Sequence, residues 1–453
     1  MLRNSWIILL LMAFGAKLCA QNATLRIDEA AITAGQVSVI ASGYNYSSGF
    51  GFTPSVQVRS VNGTFTENLG TRSIPVNRFT AVLYRNPRPI GTEVFLSTTN
   101  QTLLSSSTTS GAMSVRYSCP SLTSYAWEAG TYAGNLAYSM SAFAVGASFS
   151  PSTARLTVEV PGFLNTLNQL GDVEIRINDL NFYRSTGAST TRTFSYRHSV
   201  PLLMSIRSGT STFDFSNGNT GVVAPVTNVN LVQARVTSPV QSAAVGLGTS
   251  FQEIFRGSVP TGNSSNIIGQ FSITANQLKA GFLNKGTYRT TLSLEAKDQA
   301  GNYPALTVNA SSNLSVVVED LAEITVNQPT VNFVFDNAEK YTNGISINIG
   351  SHIVLSKTIP YQLSVRASAA NFASGSNIIP VDILSIGPGN GQLGVNTISA
   401  LSTTNQTLIG NALPAVDRNI DIRYQIPASQ TQKLLNKVAG VYTANVIYTL
   451  TSQ

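Results

Sequence analysis

Reactive side chains are scarce in this sequence. Its 453 residues include 21 Asp and Glu, two His and two Cys. A zinc site takes three or four His, Cys or carboxylate ligands, and His198 and His352 are the only histidines. A hydrolase of the nucleophile-elbow type needs Gly-x-Ser-x-Gly, which does not occur. We therefore expect neither a metal site nor an enzyme.

The chain also has no run of basic residues and no long apolar run beyond its N-terminus. Its 28 Lys and Arg give a net charge of +7, but they are scattered rather than clustered, so nucleic acid is not an expected partner. No segment after the first twenty residues has the ~20 apolar residues of a membrane helix. We expect no membrane span.

The N-terminus has the pattern of a secretory signal. Arg3 precedes the apolar run Trp6–Phe14, and Ala20 offers a small residue for cleavage before Gln21. A lipoprotein signal at Cys19 is the alternative interpretation. Residues 1–20 are thus predicted to be a signal peptide, and the rest to be secreted, either extracellular or at the cell surface. Cys119 would then be the remaining cysteine, either buried and inert or exposed and able to join two chains.

The composition favours β structure. The chain is 43% hydrophobic and only 11% charged, which disfavours disorder, and Ser, Thr, Asn, Val and Ile are abundant. Apolar residues alternate with period two, as at Val56 and Val58 or Leu202 and Met204. This pattern predicts short antiparallel strands in two-sheet sandwiches of the Ig-like or pilin-like kind, with a closed barrel as the alternative.

An internal repeat divides the sequence. Residues 96–103 recur identically at 401–408, with a looser copy at 247–254. A Gly-x-Tyr follows each copy, at Gly130–Tyr132, Gly286–Tyr288 and Gly440–Tyr442. This periodicity predicts three tandem units.

The unit boundaries depend on where each first strand lies. Residues 25–28, 156–159 and 316–319 have similar apolar patterns, and the sequence stops soon after Tyr442 without such a segment. The segments near 156 and 316 are therefore assigned to the start of the following unit. The predicted domains are 21–153, 154–312 and 313–453.

Two segments carry a resemblance to known families. Ala439–Leu450 and Gly286–Leu292 resemble the closing strands of bacterial surface β-sandwiches, namely spore coat protein U, pilin-like domains and WxL cell-surface proteins. Tyr448 stands where WxL proteins carry tryptophan. Ala296–Asn302 is similar to a turn of bacterial Ig-like adhesin repeats. The resemblance implies a non-enzymatic extracellular module, structural or adhesive and fimbrial-like.

Aromatic residues form the candidate binding surface. The candidates are Tyr44, Tyr46, Phe50 and Phe52 in one glycine-rich segment, together with Tyr125 and Trp127. Exposed rings stack on sugars or partner side chains, so a carbohydrate-binding function is the alternative to assembly. The competing interpretation is that alternate rings line a strand's core face.

The final apolar segment is the candidate assembly strand. Its residues are Val446, Ile447, Tyr448, Thr449 and Leu450. Edge strands offer unpaired backbone groups, so a neighbouring subunit can add a strand there. The expected partners are other protein subunits or cell-surface components, with glycans as an alternative. Gly389–Gly394 fits a dinucleotide fingerprint, but a strand-like pattern follows it, so no cofactor is expected.

Overall fold

The computed structural model describes residues 21–51, 54–68, 70–85, 87–105, 110–141, 144–168, 170–217 and 225–453. The predicted signal peptide, residues 1–20, lies outside them. The described chain is mostly β-strand and forms β-sandwich domains, which confirms the predicted all-β fold class. Within these ranges, none of the helices has the length and apolar character to cross a membrane.

The first body comprises two main sheets. Its strands are β1 Gln21–Arg26, β2 Val37–Ser47, β3 Phe50–Gly51, β4 Val56–Ser60, β5 Thr64–Glu67, β6 Ser73–Pro75, β7 Thr80–Arg85, β8 Arg88–Pro89, β9 Val94–Phe95, β10 Gln101–Leu104, β11 Gly111–Cys119, β12 Gly130–Met140, β13 Ala144–Val145, β14 Ser148–Ser150 and β15 Thr153–Val160. One sheet has the order β1-β15-β12-β4-β10, and the other has the order β14-β2-β11-β7-β8. Pairing is antiparallel except between β1 and β15.

The second body repeats this arrangement. Its strands are β16 Leu164–Thr166, β17 Val173–Ile177, β18 Ala188–His198, β19 Leu202–Ser208, β20 Asp214–Ser216, β21 Gln233–Ser238, β22 Val245–Gly246, β23 Gln252–Gly257, β24 Ser264–Ile273, β25 Gly286–Asp298 and β26 Thr307–Val318. One sheet has the order β17-β26-β25-β19-β23, and the other has the order β16-β18-β24-β21-β22. Again one pair, β17 with β26, is parallel.

The third body has shorter sheets. Its strands are β27 Ala322–Val326, β28 Gly344–Lys357, β29 Tyr361–Ala367, β30 Asn371–Ser374, β31 Asn377–Pro380, β32 Ser385–Pro388, β33 Gln406–Ala412, β34 Ala415–Pro427 and β35 Val446–Ser452. One sheet has the order β27-β28-β34-β32, and the other has the order β33-β29-β35. β35 is therefore the edge of a three-stranded sheet.

Helices are short and lie between strands. They are α1 Glu29–Ala34, α2 Ala275–Gly281 and α3 Ala338–Asn343, a π-helix at Phe182–Thr186, and 3₁₀ turns at Val76–Arg78, Leu122–Ser124, Val229–Leu231, Thr261–Asn263, Val381–Ile383 and Ala428–Leu434. Asp28 caps α1, Thr274 caps α2 and Asn337 caps α3, each through a side-chain oxygen that accepts from a backbone N–H of the first turn.

Alternating inward side chains build three separate hydrophobic cores. The cores extend from Ala23 to Val160, from Leu164 to Val318 and from Ile349 to Ile426. Cys119 faces the first core as a free, buried cysteine, so the prediction of a buried thiol is confirmed. Burial raises the pKa of this thiol to about 11, which keeps it protonated and unreactive near neutral pH.

The strand pairing corrects the expectation about where units start. The segments near 156 and 316 are predicted to open the second and third units, but β15 pairs with β12, and β26 pairs with β25. Their inward residues lie in the first and second cores. The prediction fails because Leu156 and Val316 have the same alternation as a first strand, and alternation does not reveal which neighbour a strand pairs with.

The tyrosine of Gly-x-Tyr makes the same hydrogen bond in each body, although Gly130 and Gly286 open a strand and Gly440 does not. The Tyr hydroxyl donates to the carbonyl four residues earlier: Tyr132 to Glu128 at 2.8 Å, Tyr288 to Asn284 at 3.0 Å and Tyr442 to Val438 at 2.8 Å. The strand registers also agree, since Leu136 lies opposite Ser60, Leu292 opposite Ser208 and Val446 opposite Ala367. β12, β25 and β35 therefore hold equivalent positions.

Candidate functional site

The tyrosines of the aromatic segment belong to the first core. Tyr44 and Tyr46 are each 1% exposed. The Tyr44 hydroxyl lies 3.0 Å from that of Tyr117, which lies 2.6 Å from that of Tyr138. The expectation of a binding surface is therefore wrong for these two rings, because β2 turns both inward. The backbone of Phe50 lies in β3, its side chain is not described, and Phe52 lies outside the described residues.

The second aromatic pair also lies inside the molecule. Trp127 is fully buried, and its indole N–H donates to the Leu122 carbonyl at 2.6 Å. Tyr125 is half-buried against Trp127, with the guanidinium of Arg78 5.0 Å from its ring centroid. Asn263 of the second body binds the Trp127 backbone. The Trp127 ring thus belongs to the first core, with its backbone at a junction between bodies, so the predicted ligand surface at Trp127 is wrong.

The candidate assembly strand, in contrast, is an open edge. β35 pairs with β29 through Val446 to Ser452, and its other side is the edge of the sheet. Its five predicted residues Val446 to Leu450 are all half-buried. On β25, the residues equivalent to Val446 and Tyr448 are Leu292 and Leu294, which are only 0% and 2% exposed. The core face of β35 is thus less covered than the same face in the second body.

A second segment outside the sheets packs against the same core as β35. Residues 328–336 join no sheet in the described chain, and residues 331–336 alternate between half-buried and exposed. They precede α3 as β1 precedes α1, and Val331, Phe333 and Phe335 are half-buried against the third core. The equivalent residues of β17 are Val173, Ile175 and Ile177, all 0% exposed.

The other two bodies show what separates these two segments. In the first body, β15 lies between β12 and β1 and pairs with both. In the second body, β26 lies between β25 and β17 in the same way. In the third body, no strand of the described chain takes this position. By this equivalence the half-buried side chains of Val331, Phe333 and Phe335 and those of Val446, Tyr448 and Leu450 flank the same position, which we call the third-body groove.

Tyr448 of the groove belongs to a hydrogen-bonded trio of side chains. The Tyr448 hydroxyl lies 2.5 Å from that of Tyr424, which lies 2.7 Å from the Nε2 of His352. Burial raises the pKa of both tyrosines and lowers the pKa of His352, so all three side chains are neutral near pH 7. Because these three side chains carry no charge, the groove suits apolar side chains better than a charged ligand.

The groove offers backbone groups and apolar surface rather than reactive groups. Among the described residues, no group of three or more His, Cys, Asp or Glu is placed to hold a metal ion. Gly389–Gly394 is followed by an isolated bridge at Ile398, not by the helix a dinucleotide site requires. The arrangement can bind an extended polypeptide through backbone pairing and side-chain insertion.

Sequence reasoning finds one side of this groove and misses the other. The alternation of Val331, Phe333 and Phe335 ahead of the α3 cap matches that of Ala23, Leu25 and Ile27 ahead of the α1 cap, and this is the available signal. Residues 316–319 obscure it, because their similar alternation points to the same role as first strand of the third unit.

No protein-family model and no curated protein matches the sequence. Solved structures similar to the chain include a mutant of CfaE, the CFA/I adhesin of enterotoxigenic E. coli (10% identity, TM-score 0.28, 67% of this chain and 98% of that one). Another is the CsuC–CsuE chaperone–tip subunit complex of Acinetobacter baumannii Csu pili (12%, 0.30, 63% and 99%). A third is the CupB6 tip adhesin of Pseudomonas aeruginosa (8%, 0.28, 62% and 90%). Since these TM-scores are below 0.5, the function proposed below depends on the strand registers of this chain.

Proposed function

We propose that this chain is a secreted, non-enzymatic structural or adhesive protein of the cell surface, built from three related sandwich modules. It assembles with a protein partner by accepting an extended segment of that partner into the third-body groove. The module boundaries lie near 161 and 319, after β15 and β26. The observation that carries the proposal is that β15 and β26 each pair on both sides at the position left open beside β35.

The first two bodies specify the orientation and pattern of the added strand. β26 runs antiparallel to β25 and parallel to β17, so the partner strand runs antiparallel to β35 and parallel to residues 331–335. β26 places Leu314, Val316 and Val318 in the core, each at most 2% exposed. The partner segment therefore carries apolar side chains at alternate positions.

Apolar burial sets the affinity expected for such a segment. Burying three Leu or Val side chains contributes roughly 5 to 9 kcal/mol. Ordering a short peptide costs about 2 to 5 kcal/mol, which leaves at most about 7 kcal/mol, so a bare peptide should bind with a Kd between about ten micromolar and millimolar. A carbohydrate-binding function through the aromatic candidates is not supported, because Tyr44, Tyr46 and Trp127 are buried.

A peptide from the chain itself tests the proposal. The probe is a fluorescent peptide with the sequence of residues 307–318, added to the full chain starting at Gln21. We expect saturable binding and slower amide exchange at Val446–Ser452. The matched control peptide carries Leu314→Asp and Val316→Asp, which place carboxylates against the groove.

A variant of the chain gives the reciprocal control. Tyr448→Asp puts a charge into the groove and is expected to weaken peptide binding at least tenfold, whereas Thr449→Asp, one position along β35, has a smaller effect. Equal binding of both peptides, or unchanged exchange at β35 with saturating peptide, would show that the groove does not accept a strand.

A further inference from the structure

The two junctions between the bodies are built in the same way. At the first junction, the Ser199 hydroxyl donates to the Pro161 carbonyl at 2.8 Å and accepts from the Phe163 N–H at 2.9 Å. The Ser199 N–H donates to the Phe163 carbonyl at 3.0 Å, and the Ser199 carbonyl accepts from the Ala129 N–H at 2.7 Å. One residue of the second body thus binds both the link and the first body.

Thr358 makes the same four bonds at the second junction. Its hydroxyl donates to the Glu319 carbonyl at 2.7 Å and accepts from the Leu321 N–H at 2.8 Å. Its N–H donates to the Leu321 carbonyl at 3.1 Å, and its carbonyl accepts from the Lys285 N–H at 2.7 Å. Four matching bonds at two independent junctions define a repeated docking geometry.

The link residues match as well. Phe163 lies three residues after Val160, the last residue of β15, and packs against the first core. Leu321 lies three residues after Val318, the last residue of β26, and packs against the second core. The last strand of each of the first two bodies, β15 or β26, therefore runs directly into the link that is hydrogen-bonded to the next body.

The donor side of this junction occurs a third time. Ala129 and Lys285 each immediately precede the glycine of a Gly-x-Tyr, and Ala439 holds that position in the third body. The bond from Tyr442 to the Val438 carbonyl is the one that Tyr132 and Tyr288 make in the other two loops. In the described chain, the Ala439 N–H has no carbonyl partner corresponding to Ser199 or Thr358.

Apolar side chains surround this donor. Leu435 is 55% exposed, Val438 61% and Val441 82%. At the first junction the corresponding loop contains Trp127, which is fully buried and whose backbone is bonded by Asn263 of the second body. An exposed apolar cluster beside an unused junction donor is the signature of an interface.

We infer that the loop Leu435–Val441 is a docking surface for a folded β-sandwich that continues from the strand inserted in the third-body groove. This inference rests on the proposed function and specifies its partner: not a bare peptide, but a segment joined to a sandwich body. That body carries an apolar residue three positions after its groove strand. It also carries a Ser or Thr 36 or 37 residues beyond that apolar residue, as Ser199 and Thr358 are placed after Phe163 and Leu321.

Two extended versions of the full chain test this. Ser452 lies opposite Tyr361 as Asp298 lies opposite Leu202, so Gln453 corresponds to Gln299. One chain carries a copy of residues 300–318 after Gln453 and supplies only the strand. The other carries a copy of residues 300–453 and supplies the strand with a body whose Thr358 copy can accept from Ala439. Amide exchange is measured at Ala439 and at β35.

We expect β35 to be protected in both chains, and Ala439 to exchange about tenfold or more slowly only in the chain with the body. Val438→Asp in that chain should abolish the protection at Ala439 and leave that of β35, since the side chain is exposed in the unextended protein. Protection of β35 without protection of Ala439 would overturn the docking inference and leave the proposed function standing. Failure to protect β35 in either chain would overturn the proposed function and the inference with it.

Discussion

Asn263 provides a direct measure of how strongly the first two bodies are held together. Its side chain is fully buried and makes three hydrogen bonds at the junction, two to Trp127 of the first body and one to His198 of its own body. The amide oxygen accepts from the Trp127 N–H at 3.1 Å, while the amide nitrogen donates to the carbonyls of Trp127 at 2.7 Å and His198 at 2.9 Å. Replacing Asn263 with glycine or alanine leaves one donor and two acceptors unpaired at a closed interface.

The expected cost follows from those three groups. A buried polar group left without a partner costs about 1 to 3 kcal/mol, so the free energy of unfolding should fall by roughly 3 to 9 kcal/mol in Asn263→Gly. Asn263 has a φ of +58°, in the left-handed region that asparagine and glycine tolerate. Asn263→Ala adds about 1 kcal/mol of backbone strain, so the difference between the two variants separates strain from hydrogen bonding.

Trp127 makes the measurement simple. In a chain that starts at Gln21 it is the single tryptophan, since the other is Trp6. Urea unfolding followed by its fluorescence reports the junction itself. Exposed Asn266→Ala, on β24 of the same body, is the matched control and should cost less than about 1 kcal/mol. An Asn263→Gly variant within about 1 kcal/mol of the parent would refute the view that these three bonds hold the junction.

Three other predictions concern single side chains. Burial lowers the pKa of His352 below its usual value near 6.5, so the folded third body keeps this ring neutral and loses stability as the pH falls below about 6.5. His352→Tyr offers Tyr424 a hydroxyl, as Tyr44 does for Tyr117, and should flatten the pH dependence of the urea midpoint between pH 7 and 5. Burial raises the pKa of the Cys119 thiol to about 11, so Ellman's reagent at pH 8 should react with it about a hundredfold faster in urea than in the folded chain. Tyr288→Phe removes a buried bond and should cost about 1 kcal/mol in urea unfolding, whereas Tyr442→Phe, at an exposed loop, should cost less than half of that; equal costs would contradict the difference in burial.

The sequence was sufficient for the fold class because strand alternation is a local property. Val56 and Val58, or Leu202 and Met204, each alternate within one strand, and each faces a core as predicted. The partner of a strand is a non-local property. Nothing in the alternation of Leu156 or Val316 states whether the strand pairs backwards or forwards along the chain, so the predicted unit starts near 156 and 316 are misplaced.

The candidate site residues show the same difference between local and non-local properties. The strand at Val446–Leu450 was predictable because its residues have high strand propensity, whereas its place at the edge of a sheet follows from its pairing with β29. The aromatic candidates failed because a ring on a glycine-rich segment can face either way, and Tyr44 and Tyr46 lie on the inward-facing positions of β2. Direction relative to the core is set by pairing with β11, which composition does not report.

The groove and the junctions also differ in what makes them specific. In the groove, specificity depends only on apolar side chains at alternate positions, so any strand with Leu or Val at that spacing fits. At the junctions, one hydroxyl residue must reach two link groups while its carbonyl meets a loop of the preceding body. The second junction adds Arg184, which pairs with Glu323 at 2.7 Å and with Asp417 at 2.8 Å, although no such ion pair spans the described part of the first junction at Ser199. The shared hydrogen bonds therefore define the geometry common to both junctions, while the Arg184 ion pairs are particular to the second.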